Sequence, residues 1–286
     1  MLIKQLAIIG VGLIGGSLAR ILRKMDACGE IVGCGRNLDN LEKAIELGVI
    51  DHYETDIKKA VAQADMVIVA VPLGAMANVF ATMQDALLPD AIITDVGSAK
   101  GCVLEDAQKN LGTHYSRFVA GHPIAGTEKS GVTASFAELF THRRVILTPT
   151  AETDKQAHEK VTQMWQLAGA EVVDMVVEHH DEVLAATSHL PHVLAYSLVH
   201  TLAEMEDRIE IFRYAAGGFR DFTRIASSDP KMWHDICLAN KEAVLKILAQ
   251  FNQDLAQLGQ AIEQENSHEI MNIFNRAKTS RDEFNG

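Results

Sequence analysis

The chain has 286 residues, enough for one large domain or two of ordinary size, and 48% of them are hydrophobic, so a substantial core is available and wholesale disorder is excluded. Twenty-six Lys and Arg against 38 Asp and Glu give a formal charge of −12. That balance excludes a general binder of nucleic acid or of anionic membranes, and it requires any anionic ligand to meet positive charge placed locally.

Residues 2–9 are apolar apart from Lys4 and Gln5 and stop at Gly10, which predicts a buried strand followed by a helix over 13–24. Further strands are expected at 30–34, at 66–71 where Pro72 stops the run, and at 91–95, with a helix near 38–47. Later strand candidates are 117–120, 145–148 and 171–177, the last two separated by a polar helix over 153–167. Continuous Val and Ile runs mark strands buried on both faces, and their alternation with helices implies a doubly wound parallel sheet. Beyond 177 the pattern becomes all-helical, with long helices expected over 178–205, 231–258 and 259–278. In the second of these Ile236, Ala239, Ala243, Ile247, Phe251 and Leu255 share a stripe. The division expected is therefore an α/β domain over 1–176 and a helical domain over 177–286. Helices of this length favour an intertwined homodimer over a single monomeric bundle.

No run approaches the roughly 18 apolar residues of a membrane span. The N-terminus lacks the pattern of a signal peptide, so the chain reads as cytoplasmic. Cys28, Cys34, Cys102 and Cys237 are scattered and read as free thiols rather than a disulfide frame or metal site.

Gly10-Val-Gly12-Leu13-Ile14-Gly15 fits G-x-G-x-x-G between a strand and a helix. Gly10 would make the tight turn, Gly12 admit a pyrophosphate, and Gly15 allow close helix–strand packing, while the helix N-terminus at Leu13 and Ile14 offers unpaired N–H groups. At the end of the second strand an NAD site wants a carboxylate. Here Gly35-Arg36-Asn37 stands there and no acid follows until Asp39. Arg36 suits a 2′-phosphate, which favours NADP over NAD.

Asp95-Val-Gly97-Ser98-Ala-Lys100 and Gly121-His122-Pro123-Ile-Ala-Gly126-Thr127 follow later strands, where doubly wound sheets place ligand loops. A His held between Gly and Pro in a loop reads as a general base, with Ser98 able to hold one ring nitrogen. Ser188-His189-Leu-Pro191-His192 makes a poor metal motif, since Pro191 intervenes and no carboxylate follows at a standard spacing; a substrate contact suits one of the pair better, and no metal is expected. Arg220 and Arg224 lie in Gly217-Gly-Phe-Arg220-Asp221-Phe222-Thr223-Arg224, where a guanidinium fork suits carboxylate recognition. His179 and His180 read as helix surface.

These motifs in this order resemble the prephenate/arogenate (cyclohexadienyl) dehydrogenase family over nearly the whole chain. The resemblance implies a Rossmann domain followed by a helical dimerisation domain, and oxidative decarboxylation of prephenate or arogenate in tyrosine biosynthesis. Hydride would leave C4 for the nicotinamide, the C4 hydroxyl would lose its proton, and carbon dioxide would depart as the ring aromatises. It also implies His122 as the base, Ser98 as the residue orienting it beside the nicotinamide, and Arg224 as a carboxylate ligand. His192 and Thr127 would line the substrate pocket, and Arg220 would approach the partner subunit's site. Many NAD-using relatives have an acid where this chain has Gly35-Arg36. The length leaves no room for a fused chorismate mutase or regulatory domain, so a stand-alone form is expected.

Two other readings share the layout. A β-hydroxyacid dehydrogenase or imine reductase would rely on a catalytic Lys or Tyr in the helical domain, and Gly-His122-Pro is not its expected signature. A non-catalytic NADP(H) sensor would leave His122, Ser98 and Arg224 idle.

Overall fold

The computed structural model describes residues 1–127 and 129–284. The chain opens with β1 (Ile3–Ile9), α1 (Leu13–Lys24), β2 (Cys28–Cys34), α2 (Leu38–Glu46), β3 (His52–Glu54) and α3 (Ile57–Val61). It continues through β4 (Met66–Val69), α4 (Leu73–Met83), β5 (Ile92–Asp95), α5 (Gly101–Asn110) and β6 (Phe118–Val119). These six strands form one sheet in the order β3-β2-β1-β4-β5-β6, every neighbouring pair parallel. That is the strand order of the Rossmann sheet, with its switch point between β1 and β4.

Side chains alternate faces along each strand, so β1 sends Leu6 and Ile8 to one side and Ala7 and Ile9 to the other. Both sides are covered. Leu6 and Ile8 join Leu18 and Leu22 of α1, whereas Ala7 and Ile9 join Phe80 and Met83 of α4 and Val103 and Ala107 of α5. Double-sided burial is why these strands read as unbroken apolar runs.

The chain leaves this sheet at Ala120. After it, β7 (Gly121–Pro123) pairs antiparallel with β8 (Arg144–Leu147), and β8 pairs parallel with β9 (Glu171–Asp174) in a separate three-stranded sheet, α6 (Lys155–Leu167) lying between β8 and β9 in sequence. The amide of Thr148 donates to Ala120 O at 2.9 Å and holds the crossing point. His122 is therefore not in a glycine-rich loop as expected. It sits in the middle of a short edge strand, opposite Ile146 of β8.

The helical region departs from expectation at two joints. The helix expected over 178–205 consists of α7 (Val177–Leu184), a π-helical turn (Ala185–His189) and α8 (Leu190–Ala203). Pro191 has no N–H to give to a preceding turn, and the wider turn absorbs that missing bond. After α9 (Arg208–Arg213) and α10 (Gly217–Thr223), the helix expected over 231–258 is broken into α11 (Pro230–Ala239) and α12 (Lys241–Glu263), with α13 (Ser267–Phe284) last. The break falls at Asn240, whose side chain is buried and donates to Asp181 O at 2.8 Å.

By its contacts the chain forms two compact units, Met1–Lys241 and Glu242–Gly286, so the sheets and the helices up to α11 share one unit. Among the described residues no helix is long and apolar enough to cross a membrane, and all four cysteines are free.

Candidate active site

The carboxyl ends of β1, β4 and β5 stand in register, Ile9 beside Val69 and Val69 beside Asp95, so the glycine loop and the Asp95–Lys100 motif leave the sheet at the same edge. Gly10 has φ +102°, and a Cβ there would lie 2.2 Å from Ala70 O. A Cβ on Gly15 would lie 2.4 Å from Gly10 O and 2.8 Å from Ile8 Cγ2. Gly12 differs: a Cβ there would meet nothing within 4 Å. Its bare backbone thus faces open space rather than protein, at the N-terminus of α1, where no side chain caps the helix and the first turn holds no acid. A cradle lined by the N–H groups of Leu13 and Ile14 fits the pyrophosphate of a dinucleotide.

At the end of β2, Arg36 is exposed and Asn37 caps α2 through the amide of Asn40. Glu54, at the end of β3, stands in register with Cys34. That register and the place of Asp56 as the N-cap of α3 bring two carboxylates near the end of β2, and burial, then the charges of Asp56 and Glu54, push the Cys34 thiol up to about 11. The sequence reading, confined to β2 itself, missed both.

At the other end of the site Lys100 and Asp95 form a fully buried pair, Nζ to Oδ2 2.5 Å. Lys100 Nζ also donates to Gly121 O at 2.8 Å, and Asp95 Oδ1 accepts from Gly121 N at 3.1 Å. The residue next to His122 is thereby tied to the end of β5.

The ring of His122 is buried, and its Nδ1 lies 2.9 Å from Nε2 of His180. His180 Nδ1 lies 2.7 Å from Asp181 Oδ1, whose carboxylate also accepts from the amides of Lys100 and Gly101, each at 2.9 Å. Burial, then the cationic forms of His180, Lys100 and His189, hold the pKa of His122 well below its usual value, so the ring is neutral at neutral pH. Burial alone would raise Asp181, but the hydrogen bonds from His180, Lys100 and Gly101 bring it below the ordinary carboxylate range.

His180 is thus wholly buried and corrects the surface reading; only its neighbour His179 is exposed. The signal was present, because His180 falls on the stripe of Val177 and Leu184 at helical spacing. The expected partner of His122 is also revised: His180 takes the ring nitrogen assigned to Ser98, and no hydrogen bond joins Ser98 to His122 among the described residues.

His189 is buried, its Nδ1 3.2 Å from Asn240 Nδ2, while its Nε2 has no partner among the described residues. Burial lowers its pKa to about 4. His192 is half-buried. Its Nδ1 donates to Ser188 O at 2.9 Å and its ring stacks on Trp233, centroids 3.5 Å apart, which leaves Nε2 as the acceptor of the neutral ring. Trp233 was not anticipated; its indole N–H is buried without a partner among the described residues. Arg224 opens a tight turn, Arg224–Ser227, that packs on α8, and Tyr196 Oη of that helix donates to Ser228 O at 2.6 Å. Arg220 lies in α10 and is exposed. Thr127 is exposed too, its hydroxyl accepting from Lys129 N at 3.2 Å. Among the described residues no group of His, Cys, Asp and Glu is arranged to hold a metal.

Residues 18–174 match the family profile for the nucleotide-binding domain of prephenate dehydrogenase, and residues 176–276 match the profile for its dimerization domain. A cyclohexadienyl dehydrogenase of Zymomonas mobilis is 42% identical over 97% of this chain and 95% of its own length. A prephenate dehydrogenase of Bacillus subtilis is 38% identical over 96% of this chain and 74% of its own. In structure, prephenate dehydrogenase from Aquifex aeolicus, solved with hydroxyphenyl propionate and NAD+, superposes with a TM-score of 0.92 at 41% identity over 98% of both chains. Synechocystis arogenate dehydrogenase gives 0.83 at 28% identity over 98% of this chain and all of that one.

Proposed function

The chain belongs to the prephenate dehydrogenase family, an oxidoreductase family of tyrosine biosynthesis, and on that premise we propose that it oxidatively decarboxylates prephenate, arogenate or both with NAD(P). The observation that carries this reading is that Asp95 and Lys100, at the sheet edge that also carries the Gly12 cradle, hold Gly121 and so fix the buried, neutral His122 beside the end of β5. A hydroxyacid dehydrogenase, an imine reductase or a redox sensor gives no use to that histidine.

Gly10, Gly12, Leu13, Ile14 and Gly15 would hold the pyrophosphate, with Ser98 near the nicotinamide. Bound there, NAD(P)+ supplies the hydride acceptor. His122 takes up the proton of the C4 hydroxyl as the ring loses carbon dioxide; a positioned base of this kind is worth about 10²–10⁴ in rate. Aromatisation drives the reaction, so the protein's task is largely to hold C4 in place and receive one proton. Arg224 binds a substrate carboxylate, His192 and Thr127 line the pocket, and Arg220 reaches toward the partner's site. These few positive groups and the N-terminus of α1 supply the affinity for anions that the −12 chain lacks as a whole.

Arg36 supports NADP. A second reading, NAD, is favoured by Glu54 and Asp56 beside the end of β2, since a carboxylate there can accept from a ribose 2′-hydroxyl. We further propose a cytoplasmic homodimer joined through residues 177–286. In its support, Leu245, Leu255 and Ile262 of α12 and Met271 and Phe274 of α13 are more than half exposed. The test is a substrate matrix: prephenate and arogenate, each with NAD+ and NADP+, followed at the reduced-nicotinamide band. Turnover with at least one combination is expected. Silence in all four overturns the assignment.

A further inference from the structure

We propose that His180 and Asp181 are positioning residues that set the tautomer of His122, so that its Nε2 is the atom left bare to receive a proton. The inference rests on the reading of His122 as the base, but its geometry stands without a substrate.

The chain of bonds has one unambiguous end. Asp181 accepts from two backbone amides, those of Lys100 and Gly101, which can only donate. Held as a carboxylate, it must accept from His180 Nδ1, which therefore carries hydrogen. A neutral His180 then presents a lone pair at Nε2, 2.9 Å from His122 Nδ1. His122 must donate across that contact, and the proton on its Nδ1 leaves Nε2 unprotonated. Removal of His180 would release this constraint.

The surroundings favour a neutral His122. Lys100 comes from the loop after β5, its charge paired with Asp95, and His189 comes from the π-helical turn. Both oppose an added proton on His122, while Asp181 holds one toward His180 Nδ1. A single proton taken up anywhere on the pair also silences the base. If it resides on His122, Nε2 is occupied. If it resides on His180, Nε2 of that ring donates to His122 Nδ1 and the remaining hydrogen of His122 moves to Nε2.

Imidazole nitrogen NMR of the ¹⁵N-His protein above pH 7, without substrate, should show hydrogen on Nδ1 of both His122 and His180. His180→Phe, which has no acceptor, should lower kcat by about 10²-fold with little change in KM or in dinucleotide binding. His180→Gln, whose side-chain oxygen can stand where Nε2 stood, should recover most of that loss. The proposal fails if His122 carries its hydrogen on Nε2, if the Phe variant turns over like the parent, or if the Gln variant is no better than Phe. A parent protein silent on every cyclohexadienyl acid would instead defeat the base assignment, and the NMR result would still decide the tautomer.

Discussion

Lys100 Nζ lies 2.5 Å from Asp95 Oδ2, and neither side chain reaches solvent. Through Gly121 the pair ties β7 to the end of β5, one residue before His122. A buried pair adds little net stability over an apolar replacement, but removing one partner strands the other charge. Lys100→Met should therefore cost about 3–5 kcal/mol in urea unfolding and also lower kcat. The double variant Asp95→Asn, Lys100→Met should regain most of the stability. A single variant within about 1 kcal/mol of the parent would show that the pair carries no such strain.

Stability should fall on the acid side of neutrality. Burial lowers His189 to about 4, so between the unfolded value near 6.5 and about 4 the unfolded chain binds the proton and the folded one does not. Its contribution is complete above 6.5 and is lost as pH falls through that window, by about 2 kcal/mol between pH 7 and pH 5. His122 acts in the same direction, whereas Asp181 loses its contribution only below the ordinary carboxylate value. Urea midpoints should drop between pH 7.5 and 5, and the drop should be shallower in His189→Gln. Identical slopes would remove His189 from the account.

The Rossmann half was legible because double-sided burial writes itself as unbroken Val and Ile runs, and because the glycine loop follows the first of them. The order β3-β2-β1-β4-β5-β6 was not, since β3 is only His52–Glu54 and its partly exposed residues carry no apolar run. His122 was found from its motif, yet its strand was hidden by having three residues and Pro123 within it. His180 and Trp233 were missed for another reason: their roles come from tertiary contact across 58 and 41 positions, with His122 and His192, and the helical stripe that marks His180 as buried does not name its partner. Asn240 breaks a helix that periodicity alone would have continued, because its side chain bonds outside its own segment.

The glycine loop separates a folding requirement from a binding one. Gly10→Ala would put a Cβ 2.2 Å from Ala70 O at a positive φ, so it should destabilise the fold by several kcal/mol in thermal or urea unfolding. Gly12→Ala meets no protein atom and should leave the melting temperature nearly unchanged. Its methyl would instead occupy the space proposed for the pyrophosphate, raising the dinucleotide Kd at least about tenfold by calorimetry. Equal effects of the two on stability would contradict the division.

Cofactor preference is expected to turn on Gly35. A Cβ there would meet only Leu41, at 3.7 Å or more, and the backbone is not in the left-handed region, so Gly35→Asp introduces a carboxylate without strain. The ratio of kcat/KM for NADP+ over NAD+ should fall by about 10–100-fold, the effect of one charged contact at the adenosine ribose. Arg36→Ala should move the ratio the same way. If neither does, the ends of β2 and β3 do not set the preference through charge.

Arg224 is held by its segment rather than by its own burial. Its turn packs on α8, and the bond from Tyr196 Oη to Ser228 O pins the turn to the helix that carries His192. On the proposed role, a substrate carboxylate held by this arginine would be a binding contact present before and during the chemistry, so its loss should appear in KM and spare kcat. Arg224→Ala should raise KM by about 10–100-fold, the worth of a charge-assisted hydrogen bond. Arg224→Lys should fall between, because it keeps the charge and loses the fork. Tyr196→Phe leaves the guanidinium intact but frees the turn, and should raise KM by a few-fold alone. A Tyr196→Phe effect as large as that of Arg224→Ala would mean that the turn, not the charge, binds the substrate.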